Sequence, residues 1–239
     1  MGPSAGGGLM STARAEILAR TRAALGAPTT GQTGPAGPVG PVTAAGELPR
    51  GYLAADDPWE TGLPRPELLA LLERRVVDYR ATFTVASAAD LPAVVARLLD
   101  GAARVVVPAG LDPTWLTRAE DAGAVVLVDD APGLSVAELD AADAVVTASR
   151  LAIAETGTIV LDAAPDQGRR AISLLPDHHV CVVRADAVVR GLPAAIGRLA
   201  TTRPMTWISG PSATSDIELS RVDGVHGPRR LDVVLLQEQ

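Results

Sequence analysis

From residue 82 onward the chain alternates short, continuous apolar runs with stretches whose apolar residues recur at helical spacing. Thr82-Phe83-Thr84-Val85, Arg104-Val105-Val106-Val107, Val125-Val126-Leu127-Val128 and Ala144-Val145-Val146-Thr147 read as strands. Between them, residues 88–99 and 113–121 read as helices, and residues 135–139 as a helical turn capped by Ser135. Runs of Val and Leu that are apolar on both faces mark a parallel sheet covered on both sides. The pattern predicts an α/β fold, a three-layer Rossmann-like open sheet. Later elements are expected at 158–161, 180–183, 205–208 and 231–236, with a helix over 192–201. The pieces around 152–162 and 180–183 follow one another without an intervening helix, which predicts an antiparallel excursion beside the parallel sheet.

Before residue 82 the signals are sparser. Residues 11–25 read as an amphipathic helix that stops at Gly26 and Pro28, and the stretch that follows is dominated by Gly, Pro, Thr and Ala. Such a stretch buries too little apolar area to offset its ordering entropy and reads as a linker. Three parts follow: a helical segment over 1–27, a Gly/Pro-rich flexible linker over 28–49 and an α/β domain over 50–239.

Composition narrows the functional classes. Hydrophobic residues make up 47% of the 239 and aromatics only 3%, so the core is aliphatic and a base-stacking platform is not expected. The 28 acidic residues outnumber the 21 basic ones, giving a net charge of -7, which argues against nucleic-acid backbone binding. Every basic residue is arginine, so neither a Schiff-base lysine nor a P-loop lysine exists. Cys181 is the single cysteine, which rules out an internal disulfide and a four-cysteine cluster site within one chain. In its apolar run it reads as a small buried residue. A long apolar segment is found neither at the N-terminus nor later, so a cytoplasmic protein without a membrane span is expected.

The chemistry-bearing residues concentrate in three glycine-punctuated segments. Ala154-Glu155-Thr156-Gly157-Thr158 precedes the strand-like Ile159-Val160-Leu161, and Ser209-Gly210-Pro211-Ser212-Ala213-Thr214-Ser215-Asp216-Ile217-Glu218 follows Met205-Thr206-Trp207-Ile208. Gly224-Val225-His226-Gly227-Pro228-Arg229-Arg230 is the third. Polar groups at strand ends suit a small anion, because open α/β sheets bind ligands outside the carboxyl ends of their strands. Glu155 reads as a base or nucleophile, or as a strand-end glutamate hydrogen-bonded to backbone N–H groups. Gly157 allows close approach of a ligand or of a neighbouring strand. The hydroxyls of Ser212, Thr214 and Ser215 after Gly210 suit an anion, with helix capping as the plainer reading, and Asp216 can orient a histidine or arginine. His226, in a turn, reads as the proton-transfer or ligand-binding imidazole. His178 and His179 point to opposite faces of a strand, so only one of them can face a site. Arg169 and Arg170, or Arg229 and Arg230, can hold a carboxylate in a bidentate fork, with at most one from each pair expected to do so. No Gly-x-Gly-x-x-Gly follows the strand at 104–107, so a nicotinamide cofactor is not indicated.

Taken together, residues 152–162, 168–180, 210–218 and 224–231 closely resemble the lactate utilisation protein C family, the LUD-domain proteins, with the likeness spanning about residues 66–236. The resemblance implies the fold shared by sugar-phosphate isomerases and CoA transferases. It also implies a role in oxidising L-lactate to pyruvate alongside iron–sulfur partner subunits, with no cofactor in this chain and the clusters in the partners. The catalytic candidates are then Glu155, Asp216 and His226, and the substrate-binding candidates Thr156, Gly157, Arg169, His178, Gly210, Ser212 and Thr214, with no metal ligands. Two other readings stay open: an acyl-CoA transferase or sugar-phosphate isomerase-like enzyme using Glu155, and a non-catalytic assembly subunit.

Overall fold

The computed structural model describes residues 16, 19–20, 54–129, 133–200, 202–214, 222–223 and 227–237. Two units are distinguished, Met1–Gly51 and Tyr52–Gln239. In the first, Glu16, Ala19 and Arg20 are helical, and Arg20 pairs with Glu16 at 2.6 Å, one helical turn apart. The rest of the expected N-terminal helix and the whole linker lie outside the described residues.

The second unit begins with α1 (Pro58–Thr61) and α2 (Arg65–Asp78), then β1 (Thr82–Ser87), α3 (Leu91–Leu98), β2 (Arg104–Pro108), α4 (Thr117–Asp121), β3 (Val125–Asp129), α5 (Val136–Asp140) and β4 (Ala144–Thr147). The short strands β5 (Leu151–Ile153) and β6 (Thr158–Leu161) follow, then β7 (His178–Arg184), β8 (Val188–Val189), α6 (Leu192–Arg198), β9 (Thr206–Ile208), β10 (Ala213–Thr214), β11 (Val222–Asp223) and β12 (Arg230–Gln237).

Six strands form one sheet in the order β1-β12-β7-β4-β2-β3, and every neighbouring pair is parallel. The open parallel sheet is the predicted one. A second sheet has the order β8-β5-β6-β9, with β5–β6 and β6–β9 antiparallel. This is the expected antiparallel excursion, with one correction. The run at 180–183 is not part of it: it lies in β7, in the interior of the parallel sheet, where both its faces are covered.

The layers follow from the apolar faces. On one side of the parallel sheet, Leu91, Val95 and Leu99 of the α3 segment and Ala119 of α4 pack against Val105, Val107, Val146, Val180, Val182 and Val234. On the other, α2 and the inner face of the second sheet cover Cys181, Val183, Leu231, Val233 and Leu235. The outer face of the second sheet, carried by Leu151, Ile153 and Val160, packs on Ala195 of α6. Ser135 caps α5 in a reciprocal capping box with Glu138.

Helix α2 was not among the predicted elements. Its Leu68, Leu72 and Val76 recur every four residues and are buried, and Pro66 stands in the first turn. Three such side chains contribute on the order of 5 kcal/mol, enough to hold a helix that propensity alone leaves marginal. Among the described residues no helix is long and apolar enough to cross a membrane.

Candidate functional site

The first two glycine-punctuated segments adjoin the second sheet, not the carboxyl ends of the parallel strands where they were expected, while the described part of the third leads into β12. Residues 154–157 form the turn between β5 and β6, and residues 209–212 leave β9, one of the two edge strands of that sheet. Gly157 has φ +61° and Gly210 φ +80°, backbone conformations that favour glycine. Both glycines face the end of α2: a Cβ at Gly157 would lie 2.8 Å from the Arg75 carbonyl carbon, and one at Gly210 2.7 Å from the Tyr79 carbonyl oxygen. The close approach that these glycines permit is therefore to a helix of the same chain. A line of hydroxyls ties the two segments together, with Thr156 Oγ1 2.7 Å from Thr158 Oγ1 and Thr158 Oγ1 2.8 Å from Ser209 Oγ. Glu155 is half-exposed on the turn, 3.8 Å from Arg75.

Next to this junction a pocket of about 520 Å³ opens between β9, the 209–212 segment, residues 170–174 and Gly227-Pro228. Its polar lining includes Arg170, Ser173, Ser209 and Ser212, and its apolar wall includes Met205 and Trp207. The Ser212 N–H donates to the Pro228 carbonyl at 2.8 Å, which fixes one rim against the other. His179 forms the floor, although its ring is fully buried. The His179 Nε2 lies 2.8 Å from Thr147 Oγ1, and its Nδ1 has no hydrogen-bond partner among the described residues. Burial, assisted by the charge of His178, pushes the imidazole down to about 3, so the ring is neutral near pH 7.

Of the sequence-predicted residues, Gly210 and Ser212 line this pocket. Thr156 is linked to the lining residue Ser209 through Thr158, and Gly157 follows it on the β5–β6 turn, neither of them in the lining. Thr214 is on β10, paired with Val222, while Asp216 and His226 lie outside the described residues. His178 and Arg169 are placed elsewhere. Strand alternation turns His178 away from the pocket, and its Nε2 donates to Asp232 Oδ2 at 2.6 Å. Thr82 Oγ1 also donates to Asp232, and Arg230 reaches it at 2.8 Å. Burial alone raises the Asp232 carboxyl, but the hydrogen bonds from His178 and Thr82 and the charges of His178 and Arg230 more than offset it, leaving it below the usual carboxylate range.

Arg169 places its fork on Asp129, with Nε and Nη2 each 2.8 Å from a carboxylate oxygen, and also donates to the Leu134 carbonyl. A guanidinium clamped in this way on a buried carboxylate has its bidentate face occupied by the protein itself. Burial raises the Asp129 carboxyl; the Arg169 and Leu134 hydrogen bonds and the Arg169 charge bring it below its ordinary value. Of each arginine pair, then, Arg170 and not Arg169 lines the pocket, while Arg229 pairs with Asp177 and Arg230 with Asp232.

Within each candidate pair the sequence reading favoured the other member, Arg169 over Arg170 and His178 over His179, and it did not single out Ser209. Alternation along β7 separates the two histidines but does not say which one looks toward the second sheet, since that is fixed by long-range packing. Among the described residues no group of three or more His, Cys, Asp or Glu side chains is placed to hold a metal ion.

Similarity to known proteins agrees with the fold and the motifs. Residues 135–236 match the LUD domain family. A lactate utilization protein C from Deinococcus radiodurans is 52% identical over 183 residues, which cover 75% of this chain and 84% of that protein. Another from Exiguobacterium sp. is 36% identical over 105 residues, 41% of this chain and 45% of that protein, so the match there spans less than half of the relative. The crystal structure of a DUF162 family protein from Deinococcus radiodurans, 49% identical, aligns with a TM-score of 0.61 over 73% of this chain and 99% of that one. Half-identity sustained over most of a relative's length, on the same fold and with the same motifs, means that the chain belongs to the LUD-domain family of lactate utilization protein C.

Proposed function

We propose that this chain is a cytoplasmic subunit of a lactate-utilisation system that oxidises L-lactate to pyruvate with iron–sulfur partner proteins. The observation that carries this reading is the 52% identity to a lactate utilization protein C over 84% of that protein's length. In this reading the 520 Å³ pocket receives the small carboxylate. Its lining suits such a ligand: Arg170 supplies positive charge, Ser173, Ser209 and Ser212 supply hydroxyls, and a neutral His179 closes the floor. Asp216 and His226 keep their proposed roles in proton handling.

Converting a 2-hydroxy acid to a 2-oxo acid removes two electrons and two protons. With a single cysteine, this chain cannot supply a four-cysteine cluster site, so the electrons are assigned to clusters of the partners. The chain's own contribution is to bind and orient the substrate and to accept protons.

Reconstitution tests the proposal. The purified partner subunits with this chain should reduce an artificial electron acceptor when L-lactate is added, and omission of this chain should remove that activity. Full lactate-dependent reduction without the chain would refute the assigned role.

A further inference from the structure

A second pocket, of about 730 Å³, opens at the opposite end of the parallel strands. Ser149 and Arg150 follow β4, Arg184 ends β7, Asp162 follows β6, and Arg198 and Arg203 come from the end of α6 and the segment after it. It lies outside the carboxyl ends of β4 and β7, the place where open parallel sheets hold their ligands. None of the described candidate site residues read from the sequence lines it, so this pocket is unassigned.

The wall of the pocket is firmly built. The chain leaves Asp162 through Ala163 at φ +55°, an uncommon conformation for a residue other than glycine. Residues 163–168 then cross the ends of β2 and β4, where the Gly110 N–H donates to the Pro165 carbonyl at 2.9 Å and the Ala148 N–H to the Asp166 carbonyl at 3.0 Å. Buried Gln167 accepts from the Asp162 N–H at 2.6 Å.

The charges within that wall are incompletely matched. The Asp162 side chain is 4% exposed, and its Oδ1 has no hydrogen-bond partner among the described residues. Its nearest cations, Arg203 and Arg150, lie 3.7 and 3.9 Å from Oδ2, beyond hydrogen-bond range. A carboxylate taken out of water is ordinarily held by direct charge-assisted hydrogen bonds. Each guanidinium is instead steadied by a backbone carbonyl, Arg203 on Ala163 at 2.8 Å and Arg150 on Arg198 at 3.1 Å, which engages one of its five donors. Facing them are Asp166 and Asp186, and Arg184 is 3.4 Å from Asp186. Among the described residues, four guanidiniums thus line the pocket against three carboxylates.

Simple ions fit this arrangement poorly. A bare anion on the arginines would face the Asp162 carboxylate, and a cation on Asp162 would face the arginines. A ligand that carries both an anionic group and a hydroxyl donor satisfies each side. We infer that this pocket binds a small hydroxyl-bearing anion, a hydroxy acid or the phosphate ester of a polyol, with its anionic group on Arg150 and Arg203 and its hydroxyl donated to the Asp162 carboxylate.

Calorimetric titration of the full chain tests this, using glycerate and glycerol 3-phosphate as probes, with propionate and inorganic phosphate as controls that lack the carbon-borne hydroxyl. Glycerate or glycerol 3-phosphate should bind saturably and more tightly than its control by a factor of about ten or more. The better of the two probes identifies carboxylate or phosphate as the anionic group. Arg203→Gln and Arg150→Gln, at half-exposed positions, should each weaken binding by a factor of about ten when measured in a Ser212→Ala background that suppresses binding at the other pocket. The inference is overturned if neither probe binds, if the controls bind as tightly, or if both arginine variants retain full affinity.

Discussion

Gly210 lies so close to Tyr79, the residue that ends α2, that a methyl group on its Cα would stand 2.7 Å from the Tyr79 carbonyl oxygen. Gly157 meets Arg75 one helical turn earlier. The two conspicuous glycines are thus points at which the segments flanking the second-sheet strands press on α2, beside the pocket. Alanine at either glycine must adopt a positive φ and displace helix backbone. Gly157→Ala and Gly210→Ala should each destabilise the protein by about 2 kcal/mol, lowering the thermal midpoint by roughly 4–8 °C. A midpoint within a degree of the parent protein would refute the close approach.

His179 gives stability a pH dependence whose sign follows from burial. Its folded value of about 3 lies below the unfolded value near 6.5, so the unfolded chain takes up the extra proton between these limits. The stability tied to the neutral ring is present above pH 6.5 and falls away as the pH drops toward 3. Between pH 6.5 and 5 the loss should be about 2 kcal/mol. Asp232, held below the usual carboxylate range, loses its contribution only at lower pH. Urea unfolding at pH 7.5 and 5 should therefore show a steeper pH effect for the parent protein than for His179→Gln, and equal slopes would contradict the assignment.

Arg169 should behave as a structural residue. Removing it leaves the buried Asp129 carboxylate without its fork, and because the guanidinium is half-exposed, the expected loss for Arg169→Ala is about 2 kcal/mol. Carboxylate binding at the 520 Å³ pocket should be unaffected under conditions where the variant is folded. An intact thermal midpoint combined with lost affinity would instead make Arg169 a ligand contact.

Cys181 is fully buried, and burial pushes its thiol up to about 12, offset only in part by the Thr147 hydroxyl. A thiol-reactive dye at pH 8 should leave the native protein unlabelled and modify one cysteine once urea unfolds it. Rapid labelling of the native protein would show that β7 is not buried as described.

What the sequence disclosed was what depends on neighbouring residues. The Val-rich runs that became β2 and β4 carry their burial on both faces in their composition, and Ser135 signals the start of α5 three residues before Glu138. The four motifs were enough to identify the family. Long-range placement was not legible. The pattern of Leu68, Leu72 and Val76 was overlooked because the preceding chain is rich in Pro and Gly. That Gly157 and Gly210 face α2, that Asp129 takes Arg169, and that His179 and not His178 meets the pocket are contacts between segments far apart in sequence. Residue type and spacing are the same whichever way those contacts are made.

The most direct test of the central proposal is calorimetric titration of the full chain with L-lactate and with pyruvate, comparing Arg203→Gln, in which the Asp162 pocket is weakened, with the same chain also carrying Ser212→Ala. Saturable binding of either acid, weakened by a factor of about ten in the doubly substituted chain, is the predicted result. No saturable binding of either acid, or binding that Ser212→Ala leaves untouched, would contradict a substrate site in this pocket.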